Sequence, residues 1–89
     1  MLEQEIEIIN KLGLHARAAA KLVNTAAAYG SEVTIFFGSQ KADAKSIMSV
    51  MMLAASKGSM ITIQCDGDDE RAALSALCEL INDYFGEDQ

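Results

Sequence analysis

Four short stretches of this chain alternate apolar and polar residues with the two-residue period of a β-strand. Between them lie stretches whose apolar residues recur every three or four positions. A strand that alternates has one wet face and one dry face, so each must lie in a sheet covered on one side only. The helical stretches must supply that cover.

The first strand reads from Leu2 to Ile9, where Glu3, Glu5 and Glu7 alternate with Ile6 and Ile8. A helix follows from about Ala16 to Ala28, with Ala19, Leu22, Val23 and Ala26 on its core side and Gly30 as its stop. Val33, Ile35 and Phe37 mark a second strand, and Gly38-Ser39-Gln40 turns the chain into a short strand around Lys41 to Ala44. The segment from Ser46 to Ala54 reads as a short helix that is apolar nearly all round. Val50, Leu53 and Ala54 are expected to face the core, leaving Ile47, Met48, Met51 and Met52 as an outer stripe. Ile61, Ile63 and Cys65 give the fourth strand. A last helix is expected with Asp68 as N-cap and Leu74, Leu77, Cys78, Ile81 and Phe85 as its buried stripe. The order βαββαβα predicts an α+β fold: a two-layer open-faced sandwich, with a four-stranded antiparallel sheet and three helices on one face.

With 89 residues, no Pro, and neither linker nor repeat, residues 1–89 are expected to form a single domain. So short a chain holds one core but no deep substrate cavity, which puts any chemistry on the surface. The net charge of −6 opposes binding to nucleic acid and to anionic lipid, and favours protein partners with basic patches. The longest apolar run, Ile47 to Ala55, is far shorter than the ~18 residues of a membrane span, so no membrane insertion is expected. The acidic start, Met1 to Glu7, does not read as a signal peptide, and a cytoplasmic protein is expected. Cys65 and Cys78 have neither metal-ligand spacing nor a disulfide framework and read as reduced core thiols. The glutamate row of the first strand and the cluster from Asp66 to Glu70 read as solvated faces or helix-start charges, Asp69 and Glu70 suiting the positive start of the last helix, with no site.

His15 is the single histidine, and it falls where the first loop enters the first helix. The first N–H groups of a helix lack intrahelical partners and its dipole end is positive, so the position disfavours imidazolium and welcomes an anion. A neutral imidazole there is a nucleophile. A phosphoryl group on its ring would meet the backbone N–H groups of Ala16, Arg17 and Ala18, with the Arg17 guanidinium offsetting its charge. The loop offers no second His, carboxylate pair or Ser to activate water, so the apparatus suits holding phosphate rather than hydrolysis. Ligands for a metal are lacking, and no cofactor is expected.

The string Gly13-Leu14-His15-Ala16-Arg17-Ala18-Ala19 resembles the HPr family, the histidine-containing phosphocarriers of the bacterial phosphoenolpyruvate-dependent sugar phosphotransferase system. Lys45-Ser46-Ile47-Met48 is similar to the family's regulatory serine segment, and Lys57-Gly58 before an Ile-rich strand matches as well. The resemblance runs in register over almost the whole chain. It implies that His15 carries a phosphoryl group on Nδ1, taken from enzyme I and passed to a IIA protein or domain, with Arg17 as charge partner. It further implies that Ser46, a helix cap by its chemistry alone, is a target of an HPr kinase/phosphorylase, and that the stripe Ile47, Met48, Met51 and Met52 belongs to a docking surface. Such a protein is a carrier with a phosphohistidine intermediate, not an enzyme. One departure is Ala18, where the family usually has Pro. It restores a backbone N–H and frees φ, a change of order 0.4–1 kcal/mol through the unfolded state.

Two other readings stand beside this one. A carrier of the nitrogen-related phosphotransferase branch would use the same chemistry, and a regulatory binding module would act through Ser46 and the Met48/Met51/Met52 patch without relaying phosphate. The second has no use for the His15 and Arg17 pair. A small enzyme using His15 as a base would need a pocket, which the sequence does not offer.

Overall fold

The structure is a computed structural model, and it describes residues 1–87. Its elements are β1 (Leu2–Glu7), α1 (Ala16–Ala27), β2 (Glu32–Phe37), β3 (Gln40–Asp43), α2 (Ile47–Met52), β4 (Met60–Asp66) and α3 (Glu70–Asn82), closed by a single 3₁₀ turn at Tyr84–Gly86. The four strands form one antiparallel sheet in the order β1-β4-β2-β3. β1 and β2 both flank β4, so each helical connection steps over a strand, and the expected α+β sandwich is the fold observed.

Register explains why only one side is covered. Val33, Ile35, Ala42, Ile61, Ile63 and Cys65 are buried, and their cross-strand pairings put them on the same face. The alternate rows are polar apart from Phe36: Glu5 pairs with Thr62, which pairs with Phe36 and on to Lys41, while Glu3 pairs with Gln64 and then Thr34 and Asp43. Against the apolar face α1 presents Ala18, Ala19, Leu22, Val23 and Ala26, and α3 presents Ala73, Leu77 and Ile81. Fully burying one Leu or Ile side chain is worth about 1.5–3 kcal/mol, so this single layer of aliphatics dominates the stability of so small a domain.

Several expected details differ. Gly30 does not end α1 in a left-handed cap. The helix stops at Ala27 with Ala28 still in right-handed geometry, and the Gly30 N–H is taken by Asp69 at 2.8 Å. In α2, Val50 and Leu53 face the core as expected, but Ala54 has φ 54° and is exposed, and Ala55 takes the buried position instead. Asp69 rather than Asp68 precedes α3. Its carboxylate accepts from Gly30 N, Ser31 N at 3.0 Å and the Ser31 hydroxyl, joining the start of α3 to the start of β2. It is therefore a structural staple rather than idle solvated charge. Phe85 is buried but not helical, since α3 ends at Asn82. Cys65 is buried and Cys78 half-buried, and both are free thiols. Burial pushes both thiols up from their ordinary range. No helix among the described residues is long and apolar enough to cross a membrane.

Candidate functional site

The site is built from a tight turn. Gly13 N donates to Asn10 O at 3.2 Å and Asn10 Nδ2 donates back to Gly13 O at 2.9 Å, which closes the loop after β1. Gly13 has φ +66°, and a Cβ there would lie 2.6 Å from Ala55 O and 2.8 Å from the Ser56 Cα. Only glycine fits so close an approach. Leu14 then buries its side chain and donates its N–H to Ala55 O at 2.9 Å, seating the loop on the segment after α2. The next residue is His15, fixed at the surface by its neighbours on both sides.

His15 is the N-cap of α1, with φ −73° and ψ 176°, and its carbonyl accepts from Ala19 N at 2.8 Å. Its side chain does not cap the helix. Among the described residues, no backbone hydrogen bond outside the helix uses the N–H groups of Ala16, Arg17 or Ala18. They are the unsatisfied donors expected of a first helical turn. Ala18 is helical and buried, so the absence of Pro costs the turn nothing visible in its geometry. Arg17 is exposed, and among the described residues its guanidinium makes no hydrogen bond or ion pair. A cation so placed is available to an incoming anion.

The imidazole turns the other way. His15 Nε2 lies 2.5 Å from Glu87 Oε2, with the His15 side chain 26% and the Glu87 side chain 13% exposed. The other carboxylate oxygen of Glu87 accepts from Asn10 Nδ2 at 3.0 Å. Burial raises the Glu87 carboxyl, but hydrogen bonds from Asn10 and His15, with the charges of His15 and Lys21, outweigh it and hold the group below the usual carboxylate range. An ionised carboxylate only accepts, so the proton between the two groups belongs to Nε2. Sequence reasoning missed both partners: Asn10 read as loop, and Glu87 is separated from His15 by 72 positions with no periodicity to flag it.

Ser46 is the N-cap of α2, and its hydroxyl accepts from Ser49 N at 3.4 Å. Beyond it Met48 and Met52 are 67% and 74% exposed, and Ile47 is also exposed. Met51 departs from the expected outer stripe, because it is half-buried and packs against the core. Leu12, 66% exposed and three residues before His15, adds an apolar group that periodicity did not single out. Helices α1 and α2 pack against one another. A cleft of about 420 Å³ lined by Glu32, Thr34, Lys41, Asp43 and Lys45 includes neither His15 nor Arg17. Among the described residues no three His, Cys, Asp or Glu side chains are grouped to hold a metal ion.

A family profile for the PTS HPr component phosphorylation site matches residues 2–83, which take in Asn10, His15, Arg17 and Ser46 but not Glu87. The chain belongs to the HPr phosphocarrier family of the phosphotransferase system. It is 55% identical over 87 residues to phosphocarrier protein HPr of Neisseria meningitidis serogroup A, covering 98% of each chain. The crystal structure of HPr-C-His from Thermoanaerobacter tengcongensis matches with a TM-score of 0.96 at 45% identity, over 100% of both chains. The chain is also similar to phosphocarrier protein NPr of Shewanella violacea, 45% identical over 86 residues, covering 97% of this chain and 94% of that one.

Proposed function

We propose that His15 receives a phosphoryl group from phosphorylated enzyme I and delivers it to a IIA protein or domain. In the first step the Nδ1 lone pair attacks phosphorus, the N–P bond of the donor histidine breaks, and its electron pair returns to the donor ring. In the second, a nucleophile on the acceptor attacks the same phosphorus and the Nδ1–P bond returns its pair to His15. The proton on Nε2 stays in place throughout. Arg17 and the N–H groups of Ala16, Arg17 and Ala18 are proposed as the donors to the phosphoryl oxygens, so that the carrier holds the group by hydrogen bonds and charge without any water-activating base. Ile47, Met48 and Met52, exposed apolar side chains of α2, are proposed to dock in turn on two different partners. Ser46 is proposed as a site of regulatory phosphorylation by an HPr kinase/phosphorylase, and the protein as cytoplasmic.

The observation that carries this reading is the start of α1: an N-cap histidine whose side chain makes no bond to the first helical turn, beside an exposed arginine with no partner among the described residues. Incubation with phosphoenolpyruvate and an active enzyme I, followed by intact-mass measurement, tests it. One acid-labile phosphoryl gain is expected, absent in His15→Ala. No gain in the wild type would refute the carrier role. The similarity to the Shewanella violacea NPr supports a second reading, a carrier in the nitrogen-related branch. Comparing transfer rates from sugar-branch and nitrogen-branch enzyme I separates the two.

A further inference from the structure

We propose that Glu87 is a positioning residue of the His15 centre, its carboxylate holding the imidazole in one orientation with Nε2 protonated and Nδ1 left free to attack phosphorus. This rests on the phosphocarrier reading above and deepens it.

The Asn10 side chain and the backbone after α3 converge on the contact. The carboxylate is itself oriented, because Asn10 Nδ2 fixes Oε1 at 3.0 Å while Oε2 faces Nε2 at 2.5 Å. Asn10 is buried and spends the same amide on Gly13 O, so one side chain sets both the turn that carries His15 and the carboxylate that meets its ring. The segment that delivers Glu87 is held in costly geometry. Tyr84, Phe85 and Gly86 have φ of 58°, 55° and 76°, three left-handed residues in succession, two of them not glycine. Such a run persists only where its surroundings over-determine it. Here burial of Phe85 and the Lys21 Nζ donation to Phe85 O at 2.6 Å do so. A chain that merely ended after α3 would need none of this.

The chemical consequence follows from the two ring nitrogens. In a neutral imidazole one nitrogen carries the proton and the other the lone pair, and the hydrogen bond made by the first decides which. With Nε2–H committed to a carboxylate, Nδ1 is the nucleophile. When Nδ1 takes up a phosphoryl group the ring loses electron density, and the same anion stabilises the more acidic Nε2–H. It does so without touching the phosphorus, so Glu87 acts through His15.

The test compares the wild type with Glu87→Ala and Glu87→Gln by long-range ¹H–¹⁵N NMR of His15, at about pH 8.5, above the range in which imidazole ordinarily titrates. Phosphoryl uptake from enzyme I is measured in parallel. The wild type is expected to show a single protonated Nε2 and an unprotonated Nδ1. In Glu87→Ala the two ¹⁵N shifts should move towards each other and uptake should slow by roughly tenfold, the low end of the range for one lost hydrogen bond to a charged group. Glu87→Gln reaches the same place and can still accept from Nε2–H, so it should recover part of both. Unchanged ¹⁵N shifts in Glu87→Ala would overturn the proposal, as would altered shifts with an unaltered rate, which would make the contact purely structural. Faster uptake would make Glu87 a block on the ring and overturn it as well. The NMR arm needs no enzyme I. A wild type that takes up no phosphate while showing the expected ¹⁵N pattern would therefore strike the carrier reading, and a wild type that does take it up with unchanged Glu87→Ala shifts would strike this one alone.

Discussion

The starts of α1 and α2 are the same kind of place in a protein, and they are closed in opposite ways. At α2 the cap residue spends its side chain on the helix: the Ser46 hydroxyl accepts from Ser49 N, Ser46 O accepts from Val50 N, and Asp43 accepts from the N–H groups of Lys45 and Ser46. At α1 the cap residue withholds its side chain, turns it towards Glu87, and leaves the first-turn N–H groups without a side-chain cap beside Arg17. A serine cap satisfies a helix, whereas a histidine that declines to cap preserves donors for something else. The stability given up at α1 is recovered in the loop before it, where Gly13, Leu14 and Asn10 fix the backbone instead.

Removing the free cation should break that contrast most. Arg17→Ala takes away a group with no partner among the described residues, so its effect on melting is expected to stay within the ±0.5 kcal/mol of an ordinary surface change. Phosphoryl uptake should fall by roughly tenfold to a hundredfold, the range for a lost hydrogen bond to a charged group. Rapid-quench transfer from enzyme I together with thermal melts measures both. A large loss of stability would mean that Arg17 serves the fold, not the phosphate.

The loop comes next. Gly13→Ala puts a Cβ 2.6 Å from Ala55 O at φ +66°, and the atoms it meets are backbone, which cannot swing aside. The expected cost is about 1–3 kcal/mol by denaturant unfolding, because left-handed strain and a steric overlap act together. Uptake on His15 should fall with it, since the displaced turn carries both Asn10 and His15. By contrast Ser46→Ala loses a long bond of 3.4 Å and should cost only about 0.5–1 kcal/mol, at the low end for N-cap removal, with no change in uptake. Equal effects of the two substitutions on transfer would erase the distinction between the helix starts.

How far the sequence carries the reader follows the same physics. β1, α1, β2 and β4 were legible because a period of two or of 3.6 is imposed by one shared core, and each strand's buried residues recur on schedule. The spacing predicts one more turn of α3 through Phe85, and Phe85 is buried as that stripe requires, yet the backbone reaches the core by a left-handed reversal that side-chain spacing does not encode. The same spacing predicts Ala54 in the core, and Ala54 lies outside it, since φ 54° at that residue shifts the buried position to Ala55. At the site, His15, Arg17 and the open turn were readable because they are contiguous. Glu87 was not, because an acidic residue after a helix looks like any solvated charge until the chain has closed on itself.

Acidification offers the finest probe of that closure. The folded Glu87 carboxyl is held below its unfolded value, as is that of Asp69, where hydrogen bonds from Ser31 and Gly30 are the cause. A group depressed in this way binds fewer protons folded than unfolded. Its contribution is therefore fully present above the ordinary carboxylate range of about 4–4.5 and is lost as the pH falls through and below it. Melting between pH 7 and pH 3 should show that loss in the wild type, and Asp69→Asn should flatten it, because Asp69 joins α3 to β2 and its bonds break only when the domain opens. Glu87→Gln should flatten it less. Its carboxylate ties down a segment that Phe85 burial and the Lys21 bond to Phe85 O already hold, so much of its contribution is released by local opening rather than by global unfolding. If Glu87→Gln instead removed the acid sensitivity as fully as Asp69→Asn, the segment after α3 that meets His15 would be part of the cooperative core.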